Sequence, residues 1–274
     1  MLTQTAPLAA APKARPFWLR QAIRLLGKPK ALFGIVIILL FYGSGLFAHW
    51  AAPYDYTSQD FTAVRQRPSP AHLLGTDWLG RDMLSRLIYA LRTNLIITVA
   101  AVATGSLVIG ITLGLLSGYL GGRADSGIMR VGEVFLAFPD ILLVILLVAT
   151  VKPRVLEWVR ALEDATGVTG LVRWGLVDYL VVFGALAAFS WVGMARLVRG
   201  QVLSLKESQF VDAARATGCS TGRILFSHLL PNALPPVIVS VSMGMGAIAG
   251  AEVFLSWLGI GIQPPVPSLG NLIR

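Results

Sequence analysis

The sequence predicts an all-α fold, a bundle of helices that crosses a membrane several times. Of its 274 residues, 55% are hydrophobic and only 14% are charged, whereas a soluble domain carries about a quarter charged residues. The mean hydropathy is +0.70. The apolar residues come in long blocks, and several blocks reach the roughly 20 residues that a helix needs to cross the hydrocarbon core of a bilayer. Together these observations indicate a polytopic membrane protein.

The charge pattern predicts which side of the membrane the N-terminus occupies. The net charge of +9 would suggest nucleic-acid binding in a soluble protein, but here it indicates basic loops on the cytoplasmic side. Six basic residues precede the first apolar block: Lys13, Arg15, Arg20, Arg24, Lys28 and Lys30. They predict a cytoplasmic N-terminus. Because the block is long and starts far from the N-terminus, we interpret it as an uncleaved anchor rather than a signal peptide.

Five membrane spans are predicted from the apolar blocks, at about 31–48, 94–119, 131–151, 177–198 and 233–255. Five spans with the N-terminus inside would leave the C-terminus outside, so we expect a sixth span beyond the end of the chain. The organisation then has three parts. These are a basic cytoplasmic segment (1–30), the first span with an extracytoplasmic and surface-helix segment (31–93), and a core transmembrane domain (94–274).

The connections between spans carry further predictions. Residues 82–92 have apolar side chains at helical spacing and charged ones opposite, which predicts a helix along the membrane surface. Pro139 is expected to kink the third span. Residues 152–176 are expected to form an extracytoplasmic excursion that contains a short helix.

A stripe of glycines on the second span predicts a close helix–helix contact. Gly110, Gly114 and Gly118 recur every four residues along one face. Small residues at this period let two helix backbones approach closely in lipid. The stripe therefore indicates a close neighbour, and it indicates nothing about function.

The polar loop at 199–232 is predicted to contain a helix with its own start and stop signals. Ser204 and Glu207 have the spacing of a capping box, and Gly218 stands where a helix C-terminus needs a left-handed residue. The expected helix has about thirteen residues. A second helix would start at Ser220 or Thr221, and three prolines would redirect the chain into the fifth span: Pro231, Pro235 and Pro236.

This loop helix could serve as a contact for another protein. Its small residues are Ala213, Ala214 and Ala216, and they would let a partner approach the backbone. Phe210 could be an apolar anchor, while Asp212 and Arg215 could provide charged contacts at the edge. An ordinary interfacial helix that packs on the lipid surface explains the pattern equally well.

The order of residues in this loop resembles the EAA loop of bacterial ABC importer permeases. The run Asp212-Ala-Ala-x-x-x-Gly218, nine more residues, and then His228-Leu-Leu-Pro231 carry the resemblance, although Asp replaces the Glu of the family. In that family the loop forms a coupling helix that docks on the ATP-hydrolysing subunit. The resemblance implies an ATPase-coupling role for Phe210, Asp212, Ala213, Ala214, Arg215, Gly218 and Pro231.

Other segments resemble the dipeptide/oligopeptide/nickel branch of the same family. They are His72-Leu-Leu-Gly-Thr-Asp77, Gly80-Arg-Asp82, Ser85-Arg-Leu-Ile-Tyr89, and Phe254-Leu-Ser-Trp-Leu-Gly259-Ile-Gly-Ile-Gln263-Pro-Pro265. The N-terminal anchor is similar to that of the second, C-type permease of the pair. The resemblance implies the type I permease fold. The long excursion at 152–176 and the missing sixth span depart from the family pattern.

The resemblance also implies a set of partners and a location. They are a second homologous permease, two cytoplasmic ATPase subunits and an extracytoplasmic solute-binding protein, in the lipid of the bacterial cytoplasmic (inner) membrane. ATP and Mg would be bound by the ATPase subunits, and this chain would bind no cofactor, no metal and no nucleic acid. It would be a transport permease and not an enzyme. The implied substrates are di- or oligopeptides, with nickel chelates or oligosaccharides as alternatives.

Two further features bear on competing functions. Glu252 lies inside the fifth span, where an acid marks either a pathway or gate, or a structural hydrogen bond near the interface.

An intramembrane enzyme would need convergent polar residues within the spans, and the spans are nearly free of them. A structural membrane component without transport activity remains a third class. The Gly121-Gly122 turn lacks the Lys-Ser/Thr that would follow in a phosphate loop.

Overall fold

A computed structural model describes residues 28–273 and contains helices but no strand within that range. Four helices are long and apolar enough to cross a membrane: α1 (Pro29–Leu46), α3 (Met83–Leu120), α6 (Leu176–Leu205) and α8 (Thr221–Trp257). Two helices form a bent pair, α4 (Gly122–Leu136) and α5 (Asp140–Thr166). Three are short: α2 (Ala48–Ala51), α7 (Gln209–Ala216) and α9 (Leu269–Ile273).

The chain divides into two compact units, one ending at Gly43 and one starting at Ser44. The described residues of the first unit, 28–43, belong almost entirely to α1. Most of the basic cluster that predicts a cytoplasmic N-terminus lies outside the described residues. The following description concerns the second unit.

Helix α3 is a single helix of 38 residues, so residues 83–92 form its first turns and do not form a separate surface helix as predicted. Asp82 starts the helix, because its Oδ2 accepts a hydrogen bond from the Ser85 backbone N–H at 2.7 Å. Arg86 is buried and its Nη1 lies 2.5 Å from Asp77 Oδ2. The polar side of these first turns therefore faces the chain's own loop at 52–82, and lipid headgroups are not needed to satisfy it.

The glycine stripe is confirmed as a close contact, and its neighbour is α6. A Cβ added at any of its three glycines would lie 2.7 Å from the Cβ of Met194, Val198 or Val202, respectively. Real Cβ atoms do not approach so closely, so only glycine fits. The π-helical segment Val102–Gly110 of α3 runs along the same contact. The α3–α6 pair therefore forms the centre of the bundle.

The third predicted span is two helices rather than one kinked helix. At Pro139 the backbone is extended (φ −57°, ψ 120°), and the axes of α4 and α5 differ by 87°. Helix α5 then continues to Thr166, so the predicted excursion does not begin at Lys152. Lys152 Nζ instead lies 2.6 Å from Asp178 Oδ1 at the start of α6. Counting the bent pair as one span yields the five spans that the apolar blocks predict.

Helix α8 also differs from the prediction, because the prolines do not redirect the chain. The helix is continuous from Thr221 to Trp257, with a π-helical turn at Ile224–Leu229. Pro231 lies two residues after this turn, and Asn232 Nδ2 donates to the His228 carbonyl at 2.7 Å. A side-chain donor of this kind satisfies a carbonyl where the backbone ladder is irregular, which lets prolines remain inside a membrane helix.

Four tryptophans of the second unit differ in their burial. Trp191 is buried, and its ring centroid lies 6.1 Å from that of Phe135. Trp78, Trp158 and Trp174 are exposed in the single chain. Of these four tryptophans, Trp191 therefore belongs to the core.

Candidate coupling site

Helix α7 connects α6 to α8 at one end of the bundle, and it is shorter than the sequence predicts. The expected capping box is wrong, because Ser204 still belongs to α6 and the new helix begins after Ser208, whose backbone is extended. The predicted C-terminus is confirmed. Gly218 has φ +76° and its N–H donates to Arg215 O at 2.9 Å, while the Cys219 N–H donates to Ala214 O at 3.0 Å. This pair of bonds is a Schellman motif.

The inward face of α7 is formed by Val211 and Ala214, which are 0% and 6% exposed. They belong to an apolar cluster with residues of three other helices: Ile111, Leu115, Met194, Val198, Val202, Ile224, Leu225, Leu229 and Val237. Ala214 therefore seats the helix on the bundle, whereas the sequence suggested that it would face a partner. Movement of α7 must displace α3, α6 and α8, because close-packed side chains transmit strain.

The outward face of α7 carries the remaining predicted residues. Phe210 is 38% exposed, and Asp212, Ala213 and Gly218 are also exposed. Arg215 Nη1 lies 3.4 Å from Asp212 Oδ1, an exposed pair that contributes little to stability. This face thus combines an apolar ring, a small residue and both signs of charge.

Arg215 also joins α7 to the end of α3, through a residue that the sequence did not single out. Its guanidinium carbon lies 5.3 Å from the Tyr119 ring centroid, and its Nε donates to the Tyr119 hydroxyl at 3.4 Å. The hydrogen bond to Tyr119 raises the pKa of Arg215 above its ordinary value. A cation over an aromatic face is attracted by the ring quadrupole. No sequence signal connects positions 96 residues apart.

The other predicted site residues lie apart from one another. Pro231 is exposed near the start of α8, at the same end of the bundle as α7. Glu252 is near the opposite end of α8 and is 0% exposed. Its Oε2 accepts from Asn94 Nδ2 at 2.9 Å and its Oε1 accepts from Ser256 Oγ at 2.8 Å. With both oxygens bonded, the geometry favours the structural interpretation of Glu252 over a gate.

Comparisons with known proteins agree with this architecture. Residues 110–274 match the family described as binding-protein-dependent transport system inner membrane component. Residues 16–68 match the N-terminal TM domain of oligopeptide transport permease C, which confirms the resemblance to C-type permeases. The family consists of transport components, not of enzymes.

Several relatives align over most of the chain. A dipeptide transport system permease of Alkalihalophilus pseudofirmus is 37% identical over 255 residues, which are 93% of this chain and 76% of that protein. An oligopeptide transport system permease of Bacillus subtilis is 34% identical over 95% of this chain and 77% of its own length. A glutathione transport system permease of Pectobacterium atrosepticum is 35% identical over 98% and 82%. The chain belongs to the binding-protein-dependent transport system inner membrane components, as a multi-pass permease of an ABC importer.

Proposed function

We propose that this chain is the C-type permease subunit of a peptide importer and that α7 couples it to an ATPase subunit. A second permease would complete the pathway, and a solute-binding protein would deliver substrate at the extracytoplasmic side. Two cytoplasmic ATPase subunits would bind ATP and Mg, and this chain would bind neither. The basic cluster within residues 1–30 supports a cytoplasmic N-terminus.

The packing of α7 is the observation that carries the coupling role. Its inward residues, Val211 and Ala214, are part of one apolar cluster with α3, α6 and α8. Its outward residues Phe210, Asp212 and Ala213 are exposed. A partner that pulls on the outward face would therefore move three membrane helices together. An interfacial helix that only rests on lipid would turn its apolar face to the lipid, whereas Val211 and Ala214 are buried within the bundle.

The choice of peptides as substrate is supported by the relatives. Their names specify dipeptides, oligopeptides and glutathione, which is itself a small peptide. These compounds share a peptide backbone and charged ends, although their side chains differ. No feature of the described chain favours nickel chelates or oligosaccharides over them.

The coupling role can be tested by co-purification of the ATPase subunits with the tagged chain. Ala213→Arg places a large charge on the outward face of α7 and should reduce recovery of the ATPase subunits about tenfold, the equivalent of roughly 1.4 kcal/mol. Ala165→Arg changes an exposed alanine at the end of α5 and should leave recovery unchanged. Recovery of the second permease serves as the folding control. Equal ATPase recovery with both variants would rule out docking at this face.

The substrate class needs a separate measurement. The complete complex in proteoliposomes should hydrolyse ATP faster when the binding protein carries a dipeptide or oligopeptide, and should accumulate that peptide. Stimulation by nickel chelates or oligosaccharides, with none by peptides, would contradict the proposal.

A further inference from the structure

A cavity of about 320 Å³ lies between α3, α6, α8 and the break that separates α4 from α5. Its depth follows from the helices that line it. Ser190 is about halfway along α6, roughly 20 Å from each helix end at 1.5 Å per residue, and Ser240 is about halfway along α8. The cavity is therefore level with the middle of the membrane-spanning helices.

Asp140 is the one ionisable side chain among the residues that line this cavity in the described part of the chain. It is exposed in the single chain. Its Oδ1 accepts a hydrogen bond from the adjacent Ile141 N–H at 2.7 Å, and no Lys, Arg or His of residues 28–273 forms an ion pair with it. An ionisable side chain at this depth usually faces a polar path or a binding site.

The surroundings of Asp140 favour a cation with N–H donors. Helix α4 ends beside it at Leu136, and the C-terminal end of a helix carries partial negative charge. Ser106 and Ser190 line the same cavity and already donate their hydroxyl hydrogens to backbone carbonyls. Their oxygens therefore retain lone pairs that can accept hydrogen bonds. Broken helices near the bilayer midplane supply binding groups in other transporters for the same reason.

The positive group nearest to Asp140 is the N-terminus of its own helix. This end of α5 carries partial positive charge, which stabilises the carboxylate without supplying a full cation. The N–H groups of Leu142 and Leu143 are used within the helix, where they donate to the Pro139 carbonyl at 3.0 and 3.3 Å. Asp140 Oδ1 accepts from Ile141. The second carboxylate oxygen, Oδ2, makes no hydrogen bond to any residue between 28 and 273, and it is free for a ligand.

We propose that Asp140 binds the α-ammonium group of a peptide during its passage through the permease. This proposal rests on the proposed function, import of peptides. Every unmodified peptide carries an α-ammonium group, whatever its side chains are. One carboxylate could thus serve many sequences. The cavity volume lies at the lower end of the range for small-ligand sites, enough for the N-terminal residues of a peptide.

The test compares Asp140→Asn with wild type in the complete complex, reconstituted in proteoliposomes with saturating binding protein and peptide. Asp140→Asn should reduce the initial rate of peptide uptake about tenfold, as for loss of one charge-assisted hydrogen bond, while ATP hydrolysis without substrate is unchanged. Asp140→Glu should restore most of the uptake. Asp164→Asn, at an exposed position on the same helix, should transport like wild type.

A second comparison separates ligand binding from a structural role. A peptide analogue without its α-amino group should be transported equally by wild type and Asp140→Asn, because the interaction that distinguishes them is missing. If Asp140→Asn slows both peptides equally, or if it transports the free peptide at the wild-type rate, the proposal is overturned. If Asp140 instead pairs with a cation of the second permease, Asp140→Asn will reduce recovery of that subunit, which also overturns it. Wild type that moves no peptide at all would contradict the proposed function instead.

Discussion

Arg199 holds Asp125 at two points, with Nε 2.5 Å from Oδ1 and Nη2 2.6 Å from Oδ2. Asp125 Oδ1 also accepts a hydrogen bond from Ser117 Oγ at 2.5 Å. Arg199 lies on the last turns of α6 shortly before α7, and Asp125 lies on the first turn of α4. Because the planar guanidinium fixes the orientation of the carboxylate, movement at α7 is transmitted to α4 and towards the break at Pro139.

We predict that Asp125→Asn uncouples transport from ATP hydrolysis. The variant loses the charge of the two-point pair, so α4 should follow α6 less closely. In proteoliposomes, peptide uptake per ATP hydrolysed should fall severalfold while the ATPase subunits still bind. Glu133→Gln is the matched control, because its ion pair with Arg130 is longer, 3.8 Å, and exposed. Equal uptake per ATP in both variants would contradict this transmission role.

Gly114→Ala should destabilise the bundle although alanine is the better helix former. The added Cβ would lie 2.7 Å from both Ala195 O and Val198 Cβ, so α3 and α6 would have to separate. Overpacking of this kind typically lowers the free energy of unfolding by about 1–3 kcal/mol. Thermal unfolding of the detergent-solubilised protein measures the change. Gly200→Ala on α6 meets no atom within 4 Å and should not lower the melting temperature.

The architecture could be predicted from the sequence where the signal is local or periodic. Apolar blocks indicate the spans, and the glycine period indicates the α3–α6 contact. Gly218 marks the end of α7, since only the left-handed residue and its neighbours determine that motif. The start of α7 could not be predicted from the capping-box spacing of Ser204 and Glu207, because Ser204 still belongs to α6, which continues to Leu205.

Contacts between distant positions could not be predicted in this way. The bonds from Arg215 to Tyr119 and from Arg199 to Asp125 join residues 96 and 74 positions apart. Composition and periodicity do not predict such pairs, because the pairs depend on how the helices are arranged in space. The inward orientation of Ala214 has the same origin, since a run of alanines does not specify which side of a short helix is buried.

Asp77 should make the stability of the loop at 52–82 depend on pH. Burial alone would raise the pKa of Asp77, but hydrogen bonds from the backbone N–H groups of Arg81 and Leu79 and from the Arg81 side chain outweigh it, so the pKa is lowered. The folded pKa is then below the unfolded value of about 3.9. The stabilisation is present above pH 4 or so, and it is lost as pH falls through the folded pKa.

Asp77→Asn tests this relation. The variant should melt at a lower temperature than wild type at pH 7, because Arg81 and the buried Arg86 lose their carboxylate partner, and the difference should shrink as the pH approaches 3. Asp164→Asn, at an exposed position, should melt like wild type at pH 7. A difference between Asp77→Asn and wild type that stays constant from pH 7 to pH 3 would contradict the role of the Asp77 charge.

Glu252→Ala distinguishes a structural acid from a gate. The substitution removes one of the two acceptors of Asn94 Nδ2 and the acceptor of Ser256 Oγ, and it leaves a cavity where the side chain was fully buried. A large-to-small change with unsatisfied buried donors should lower the free energy of unfolding by about 2–4 kcal/mol, measured by thermal unfolding in detergent without ATP or substrate. Glu133→Ala, at an exposed position on α4, should have no such effect. Because a gate acts only during transport, normal stability of Glu252→Ala with slowed uptake would favour the pathway interpretation instead.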